Sequence, residues 1–447
     1  MSERPPSTTS ARSVARQVLA RVRRDGAYAN LTLSAELRRA RGLPAAERGL
    51  ATELVYGVLR HQRRLDHALA RHLRQPIDRL DPESLDALRL AAYQVLLLDR
   101  IPAYAAVDDA VTAVREARGP RLAGVANAVL RKLRPEDLSR DLPDDPGARL
   151  AVECSLPEAL ASRWVAELGL EEARQLGNRL LERAPLTARV NTLKIESGKL
   201  VASLAADGTQ AEPGRWAPEA LHLATGADPF LSPSYLEGLW TAQDEAAQLI
   251  AHLVDPQPGE RVLDGCAGVG GKSTHLAALM GDRGRVLCVD PSPRKLELLR
   301  EHCLRLGVKS CEAIQADLRR SEALRPASVD RVLVDAPCSG LGVIGRHPEL
   351  KWRLDLDHLP ELVSLQRELL EAALRWLRPS GVLVYSVCTT TDEEGPEQLA
   401  WLRQAHPELE LDPRARGAVP IDENGALRLW PHRHGTDGFF AARLRLR

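Results

Sequence analysis

The chain has 447 residues, with 61 basic and 61 acidic side chains and therefore no formal net charge. This length is enough for two or three domains with substantial hydrophobic cores. The seven cysteines form no CxxC pair and no spacing typical of secreted proteins, and the sequence has neither a signal-like segment nor a membrane-length apolar run. These features argue against a secreted or membrane-spanning protein, and we expect a soluble cytoplasmic one.

The even charge balance conceals an asymmetry along the chain. Residues 1–135 carry 24 Lys and Arg against 14 Asp and Glu, a net charge of +10, which leaves −10 for the remainder. A basic N-terminal region indicates an anionic partner such as nucleic acid. The alternative is an Arg-rich helical surface that is merely well solvated.

The N-terminal third of the sequence predicts a helical bundle. Residues 1–10 are rich in Ser, Thr and Pro, and we expect a disordered tail. Over 11–135, apolar residues recur every three or four positions, with breaks at glycines and prolines. Asp81 and Pro82 are typical of a helix start. The polar, Pro-rich stretch 136–149 is predicted to be a linker.

Two further segments are predicted to mix helices with strands. Residues 150–249 contain a helical pair, the strand-like LTARVNTLK and a final helix, which indicates a small α/β module. Over 250–447 the pattern alternates, and alternation predicts a parallel sheet covered by helices on both faces, an α/β Rossmann-like fold. The predicted strands begin near Arg261, Arg285, Cys311, Asp330 and Gly381, with helices at 293–306 and 359–377 and a late, antiparallel strand in DGFFAARLRLR.

A glycine-rich loop follows the first strand of this last segment, in RVLDGCAGVGGK (261–272). Glycines let the backbone turn sharply and approach a ligand, and the helix that follows points free N–H groups at it. The loop fails the Walker pattern because Cys266 stands where the first glycine is required. It also fails the dinucleotide pattern, which needs a third glycine at Ser273.

Acidic residues mark the ends of the following strands, at Asp290, Asp317 and Asp335. Carboxylates cannot hold a polyphosphate, but they suit a ligand rich in hydroxyl and amino donors. Adenosine joined to a cationic sulfur has these properties, so the pattern favours S-adenosylmethionine as cofactor. The alternative for Asp290 and Asp317 is that they only cap the helices behind them.

Two cysteines occupy the ends of neighbouring predicted strands. Cys338 follows Asp335 in DAPCSG, and Cys388 ends VLVYSVC. Parallel strands deliver their carboxyl ends to one crevice, so two thiols could face one substrate. The usual alternative for a cysteine is a small, inert, buried side chain, and we expect that of Cys154, Cys288, Cys303 and Cys311.

No spacing of His or Cys residues near either thiol is typical of a zinc site, and the His432–His434 pair is expected to be exposed. We therefore expect no metal.

These motifs resemble those of the RNA 5-methylcytosine methyltransferases. The resemblance lies in DAPCSG (335–340), YSVC (385–388) and CAGVGGK (266–272), and GVIGRHPELKW (342–352) and DGFF (437–440) narrow it to the RsmB/Sun group. RGLATELVYGVLR (48–60) and ANAVLRKL (126–133) are similar to that group's NusB-like RNA-binding domain. The resemblance implies an all-α NusB-like bundle over 11–135, the small α/β module, and a methyltransferase domain over 250–447.

The resemblance also implies a reaction and its residues. Cys388 would add to carbon 6 of a cytosine in small-subunit (16S) ribosomal RNA, Asp335 would hold the base, and Cys338 would assist release. Asp290 would accept the ribose hydroxyls and Asp317 the adenine amino group, with Asp335 bordering both ligands. The cofactor loop would comprise Cys266, Ala267, Gly268, Val269, Gly270, Gly271 and Lys272, in which Gly268 and Val269 replace the family's usual Ala-Pro.

Other functions remain open at this point. A cytosine-5 methyltransferase acting on tRNA or DNA could use Cys338 as nucleophile. A small-molecule methyltransferase would share the glycine loop but would not need the basic N-terminal region. A non-catalytic RNA-binding or assembly factor would have inert thiols. For the ribosomal reaction we expect a monomer that acts on naked RNA or on an assembly intermediate, with the target cytosine turned out of its stack.

Overall fold

The computed structural model describes residues 10–225, 228–320, 325–413 and 419–447. The chain forms two compact units. The first takes the chain up to Arg183 together with Ile344–Leu354, and the second comprises Ala184–Val343 and Asp355–Arg447. In the described part of the chain, no helix is both long and apolar enough to cross a membrane.

The first unit is helical, as the sequence predicts. Its apolar helix faces enclose one core, and Asp81 caps a helix whose first residue is Pro82. Ser10, predicted to belong to the tail, is instead the N-cap of the first helix, because its hydroxyl accepts a hydrogen bond from the Ser13 N–H. Residues 1–9 lie outside the described residues. The helices are α1 Ala11–Asp25, α2 Ala29–Arg39, α3 Ala45–Ala70, α4 Pro82–Leu97, α5 Ala103–Arg118, α6 Pro120–Leu130, α7 Pro146–Glu153, α8 Glu158–Leu168 and α9 Leu170–Leu181.

The predicted linker 136–149 has structure of its own. Pro135–Leu138 is a short 3-10 helix, and the buried carboxylate of Asp137 within it hydrogen-bonds to the Arg134 N–H and to His72. Helices α7 and α9 then pack against α3. The predicted 150–249 module is therefore divided, with its helical pair in the first unit and its strands in the second.

A small antiparallel sheet opens the second unit, with strand order β2-β3-β1-β4. The sequence predicts only its first strand: β2 carries polar residues and a proline, and β4 has only three residues, whereas β3 is longer than β1 and yet is not predicted. The elements are β1 Leu186–Val190, α10 Ser197–Ala206, β2 Thr209–Pro213, β3 Ala220–Thr225, α11 Pro233–Leu236 and β4 Trp240–Ala242.

A large sheet follows and confirms the Rossmann-like prediction. Its strands are β5 Arg261–Asp264, β6 Arg285–Asp290, β7 Cys311–Gln315, β8 Val329–Asp335, β9 Leu377–Val387, β10 Leu409–Leu411, β11 Ala426–Leu429 and β12 Phe439–Leu446. Its helices are α12 Glu245–Val254, α13 Gly271–Leu279, α14 Pro293–Leu306, α15 Leu359–Leu374, α16 Pro396–Ala405 and α17 Pro431–His434. Apolar clusters cover both faces.

The order of this sheet is β10-β12-β9-β8-β5-β6-β7, with β11 beside β12. Strands β5 to β9 run parallel, and β12 is antiparallel to β9 as predicted. The chain order reverses at β5, which lies between β6 and β8. Such a reversal opens a crevice at the carboxyl ends of the strands, where open α/β sheets bind their ligands. In the register, Asp335 at the end of β8 pairs with Ser386 near the end of β9.

Candidate active site

The glycine loop runs from the end of β5 into α13. Gly268 and Gly270 have φ angles of 57° and 83°, a left-handed conformation that favours glycine. A Cβ atom on Gly270 would lie 2.7 Å from Cγ of Leu299, whereas one on Gly268 would meet nothing within 4 Å. Among the described residues, no side chain caps the N-terminus of α13. The backbone of Gly268 and Gly271 thus borders open space next to an uncapped helix N-terminus, which fits a bound cofactor.

Asp290 ends β6 directly against this loop. Its buried carboxylate accepts hydrogen bonds from the Gly268 N–H, at 3.1 Å, and from the Ser292 N–H, at 2.8 Å. Asp317, after β7, accepts from the backbone and guanidinium of Arg319, and these hydrogen bonds lower its pKa. Each carboxylate thus bonds a backbone N–H two residues ahead, but the N-cap of α14 is Ser292, so Asp290 does not cap that helix and instead binds the glycine loop.

Asp335 is held by two side chains. Nζ of Lys272 donates to Oδ2 at 2.6 Å, and the Ser386 hydroxyl donates to Oδ1 at 2.8 Å. Burial acts to lower the pKa of Lys272, but the Asp335 carboxylate outweighs it and raises that pKa above its usual value. Lys272 therefore keeps its proton at neutral pH. Ser386 was not among the residues predicted from the sequence, although it lies inside the YSVC motif.

The two thiols meet, as the strand ends predict. Sγ of Cys338 lies 3.4 Å from Sγ of Cys388. The hydrogen bond to Cys388, together with burial, raises the pKa of Cys338 well above the usual value for a thiol. This shift favours the protonated form of Cys338, and either sulfur can be the donor in the contact between the two thiols. Cys154, Cys288 and Cys303 are buried as expected, and burial raises the pKa of Cys154 to about 12, whereas Cys311 is only half-buried.

Histidines occupy two further places of interest. Glu219, His252 and His275 lie together, but Nε2 of His252 is only 2.7 Å from Glu219 Oε2, which is a hydrogen bond. Burial lowers the pKa of His275 to about 3, so its ring is neutral.

The prediction that His432 and His434 are exposed is wrong, because both are half-buried next to Trp430. The backbone N–H of Trp430 donates a hydrogen bond to the ring of His434. The absence of a metal stays a prediction.

Three family models match the chain. NusB matches residues 9–135, a ferredoxin-like domain of RsmF/B-like methyltransferases matches 156–228, and 16S rRNA methyltransferase RsmB/F matches 251–445. The matches cover both the helical unit and the sheet that carries the two thiols.

Full-length relatives agree with the family models. A probable ribosomal RNA small subunit methyltransferase B of Bacillus subtilis (strain 168) is 36% identical over 445 residues, covering 98% of this chain and 99% of the relative. The ribosomal RNA small subunit methyltransferase B of Pseudomonas syringae pv. tomato is 33% identical, covering 97% and 96%.

Solved structures extend the likeness to the fold. The crystal structure of PH0851 aligns with a TM-score of 0.82 at 28% identity, over 99% of both chains. A methyltransferase homologue from Pyrococcus horikoshii aligns with a TM-score of 0.59 at 30% identity, over 67% of this chain and 98% of that one. The chain thus belongs to the RsmB/F family of 16S rRNA methyltransferases, which use S-adenosylmethionine as methyl donor.

Proposed function

We propose that this protein methylates carbon 5 of a cytosine in small-subunit ribosomal RNA, with Cys388 as the nucleophile. The observation that carries the proposal is the pair of thiols 3.4 Å apart, next to a carboxylate that is fixed by Lys272 and Ser386. A reaction with a single covalent step needs one thiol. A second thiol in contact with the first is useful when the covalent bond between the enzyme and the base must also be broken to release the product.

The chemistry explains why a thiol is needed. Carbon 5 of cytosine is a poor nucleophile, and addition of the Cys388 thiolate to carbon 6 moves an electron pair towards carbon 5, splitting one difficult step into two easier ones. S-adenosylmethionine, when bound, supplies the methyl group. A proton then leaves carbon 5, and its electron pair expels the Cys388 sulfur. Burial and the contact with Cys388 raise the pKa of Cys338, which disfavours a thiolate there, and we assign the attacking sulfur to Cys388.

Asp335 is the group we assign to the base. Its carboxylate, held on both oxygens, can accept hydrogen bonds from the cytosine amino group and from the N3–H of a protonated adduct, which it would stabilise. Lys272 and Ser386 fix its orientation. Cys338, protonated and in contact with Cys388, is the group we assign to release of the product.

The cofactor would lie on the glycine loop, Cys266 to Lys272, with Asp290 at the ribose and Asp317 at the adenine. Two observations support Asp290 in particular. It is the carboxylate that binds the loop backbone, and it ends the strand next to β5 at the reversal of the sheet. Asp317 would have to share its carboxylate with Arg319.

Ribosomal RNA as the substrate is supported by the names of the full-length relatives and by the basic NusB-like region. Cations on that region would bind phosphates, which gives affinity without sequence selection. The alternative, a tRNA or DNA methyltransferase with Cys338 as nucleophile, requires a thiolate at the cysteine whose pKa is raised.

RNA trapping separates the two thiol assignments. Cys338→Ala and Cys388→Ala would each be incubated with S-adenosylmethionine and small-subunit RNA and run on a denaturing gel. We expect a covalent protein–RNA band for Cys338→Ala, because attack remains while release is impaired, and no band for Cys388→Ala. The opposite pattern would assign attack to Cys338. No band from either variant, with methyl transfer intact in both, would refute the two-thiol mechanism.

A further inference from the structure

A fully buried carboxylate lies behind the two thiols. Glu394 is in the turn between β9 and α16 and has no exposed surface. Its Oε1 accepts hydrogen bonds from the Ser339 N–H and from Nε2 of Gln366, both at 2.9 Å. Its Oε2 accepts from the hydroxyls of Ser339, at 2.5 Å, and Thr391, at 2.9 Å. A buried charge with four donors is compensated by hydrogen bonds.

These contacts connect the carboxylate to both cysteine loops. Ser339 directly follows Cys338 and bonds Glu394 through its backbone and its side chain. Thr389 directly follows Cys388, and its hydroxyl lies 2.7 Å from the Ser339 hydroxyl. Because the Ser339 hydroxyl gives its proton to Glu394, Thr389 donates to Ser339. Each cysteine is therefore one residue away from the same hydrogen-bond network.

Two more side chains, on α15 and β9, donate hydrogen bonds to the backbone of the Cys338 loop and of the turn that contains Glu394. Gln366 on α15 also donates to the carbonyl of Pro337, the residue before Cys338. The hydroxyl of Tyr385, on β9, donates to the backbone carbonyl of Glu394 at 2.7 Å. The Cys338 loop is thus held on both sides of the cysteine, and the turn that contains Glu394 is held to the strand that ends in Cys388.

We propose that Glu394 is a positioning residue of the methyl transfer, whose carboxylate sets the separation of the Cys338 and Cys388 thiols. The inference rests on the proposed function, because that spacing matters only if both thiols act on one substrate. Glu394 touches neither sulfur in the network described, so it acts through Ser339 and Thr389. Its negative charge also contributes, after the Cys388 hydrogen bond and burial, to the raised pKa of Cys338.

Glu394→Gln is the decisive variant. Glutamine has the same shape and keeps one oxygen for the two N–H donors, while its amide can donate to the rotatable hydroxyls, so we expect the fold to persist without the charge. Because a misplacement of about 1 Å can cost about 100-fold, we expect kcat to fall on the order of 10- to 100-fold while KM for S-adenosylmethionine is unchanged. Thr389→Val, which cuts the link to the Cys388 loop, should act in the same direction.

Thiol spacing can be measured without the reaction. Phenylarsine oxide bridges two neighbouring thiols, and the bridged protein is detected by mass spectrometry, with Cys338→Ala as the blank. We expect bridging to slow in Glu394→Gln and in Thr389→Val. The matched control is Glu397→Gln, an exposed glutamate three residues away in the first turn of α16, which should match the wild type in both assays.

Each outcome decides the inference. It is overturned if Glu394→Gln and Thr389→Val fold and keep both the wild-type kcat and the wild-type rate of bridging. It is also overturned if the loss of kcat in these variants is fully explained by weaker binding of S-adenosylmethionine. If bridging slows but no variant ever traps RNA, Glu394 still sets the separation of the thiols, while the proposed cytosine chemistry, and with it a role in methyl transfer, fails. Should Glu394→Gln not fold, Thr389→Val decides alone.

Discussion

At the scale of single residues, the charged groups of the candidate site are stabilised in different ways. Lys272 lies 2.6 Å from Asp335, while Glu394 uses only neutral donors. Asp264, at the end of β5, differs from both because one of its carboxylate oxygens lacks a hydrogen bond. It accepts a hydrogen bond from the Ser273 hydroxyl on Oδ2, but its buried Oδ1 has no hydrogen-bond partner among the described residues. Burial raises the pKa of Asp264 to about 6.

The pKa of Asp264 makes stability depend on pH. Because the folded-state pKa lies above the unfolded value of 3.8, the unfolded state loses its proton first, and stability falls as the pH rises from about 4 to about 6. The loss is on the order of 3 kcal/mol above that window. Asp264→Asn should lack this slope, as measured by urea unfolding without cofactor between pH 4 and pH 7. The exposed Asp357→Asn should keep it, and equal slopes in wild type and Asp264→Asn would contradict the assignment.

At the scale of elements, three loops meet next to the carboxyl end of β9, which carries Cys388. The Gly342 N–H donates to the Cys388 carbonyl at 3.0 Å, and the Gly438 N–H donates to the Gly342 carbonyl at 2.8 Å. This explains why the GVIG and DGFF motifs, far apart in sequence, both belong to the site. A Cβ atom on Gly342 would lie 1.9 Å from the Gly438 oxygen and 2.9 Å from the Cys388 oxygen.

Gly342→Ala should therefore displace the Cys388 loop, because the crowded atoms are backbone and cannot rotate away. We expect kcat to drop by about 100-fold and stability to fall by about 1–3 kcal/mol. Methyl transfer from labelled cofactor and thermal unfolding measure the two effects. Gly198→Ala, at a helical position where the added Cβ meets nothing within 4 Å, is the control. Activity within twofold of wild type in Gly342→Ala would show that the interaction between these loops is dispensable.

At the scale of the whole molecule, sequence order and spatial units diverge. The segment Ile344–Leu354 belongs to the helical unit although it lies between two strands of the large sheet. The Nε1 of Trp352 donates to the Leu59 carbonyl at 2.7 Å, Nζ of Lys351 donates to the Arg60 carbonyl at 2.8 Å, and Glu349 accepts from the Ala29 N–H. A fragment that stops at Arg183 would therefore leave these groups of the helical unit without their partners.

The basic region predicts salt-dependent RNA binding. Arg41, Arg121 and Lys132 are exposed cations of the helical unit. Replacing all three with alanine should reduce the slope of log K against log salt by about 0.7–0.9 for each phosphate that is no longer neutralised. Filter binding of small-subunit RNA across a salt series measures the slope. Lys199→Ala, an exposed cation of the other unit, should leave it unchanged, and an unchanged slope in the triple variant would remove these cations from the RNA-binding surface.

The sequence by itself determined the fold class, the helical N-terminal region and the strands that precede the two thiols, because periodicity and strand-end motifs are local signals. It also indicated that Cys338 and Cys388 would meet, since parallel strands end at one edge. Only the tertiary structure decided their 3.4 Å separation, the Lys272–Asp335 pair and the Glu394 network. Those interactions join residues that are tens of positions apart, and each is set by the register and packing of whole elements.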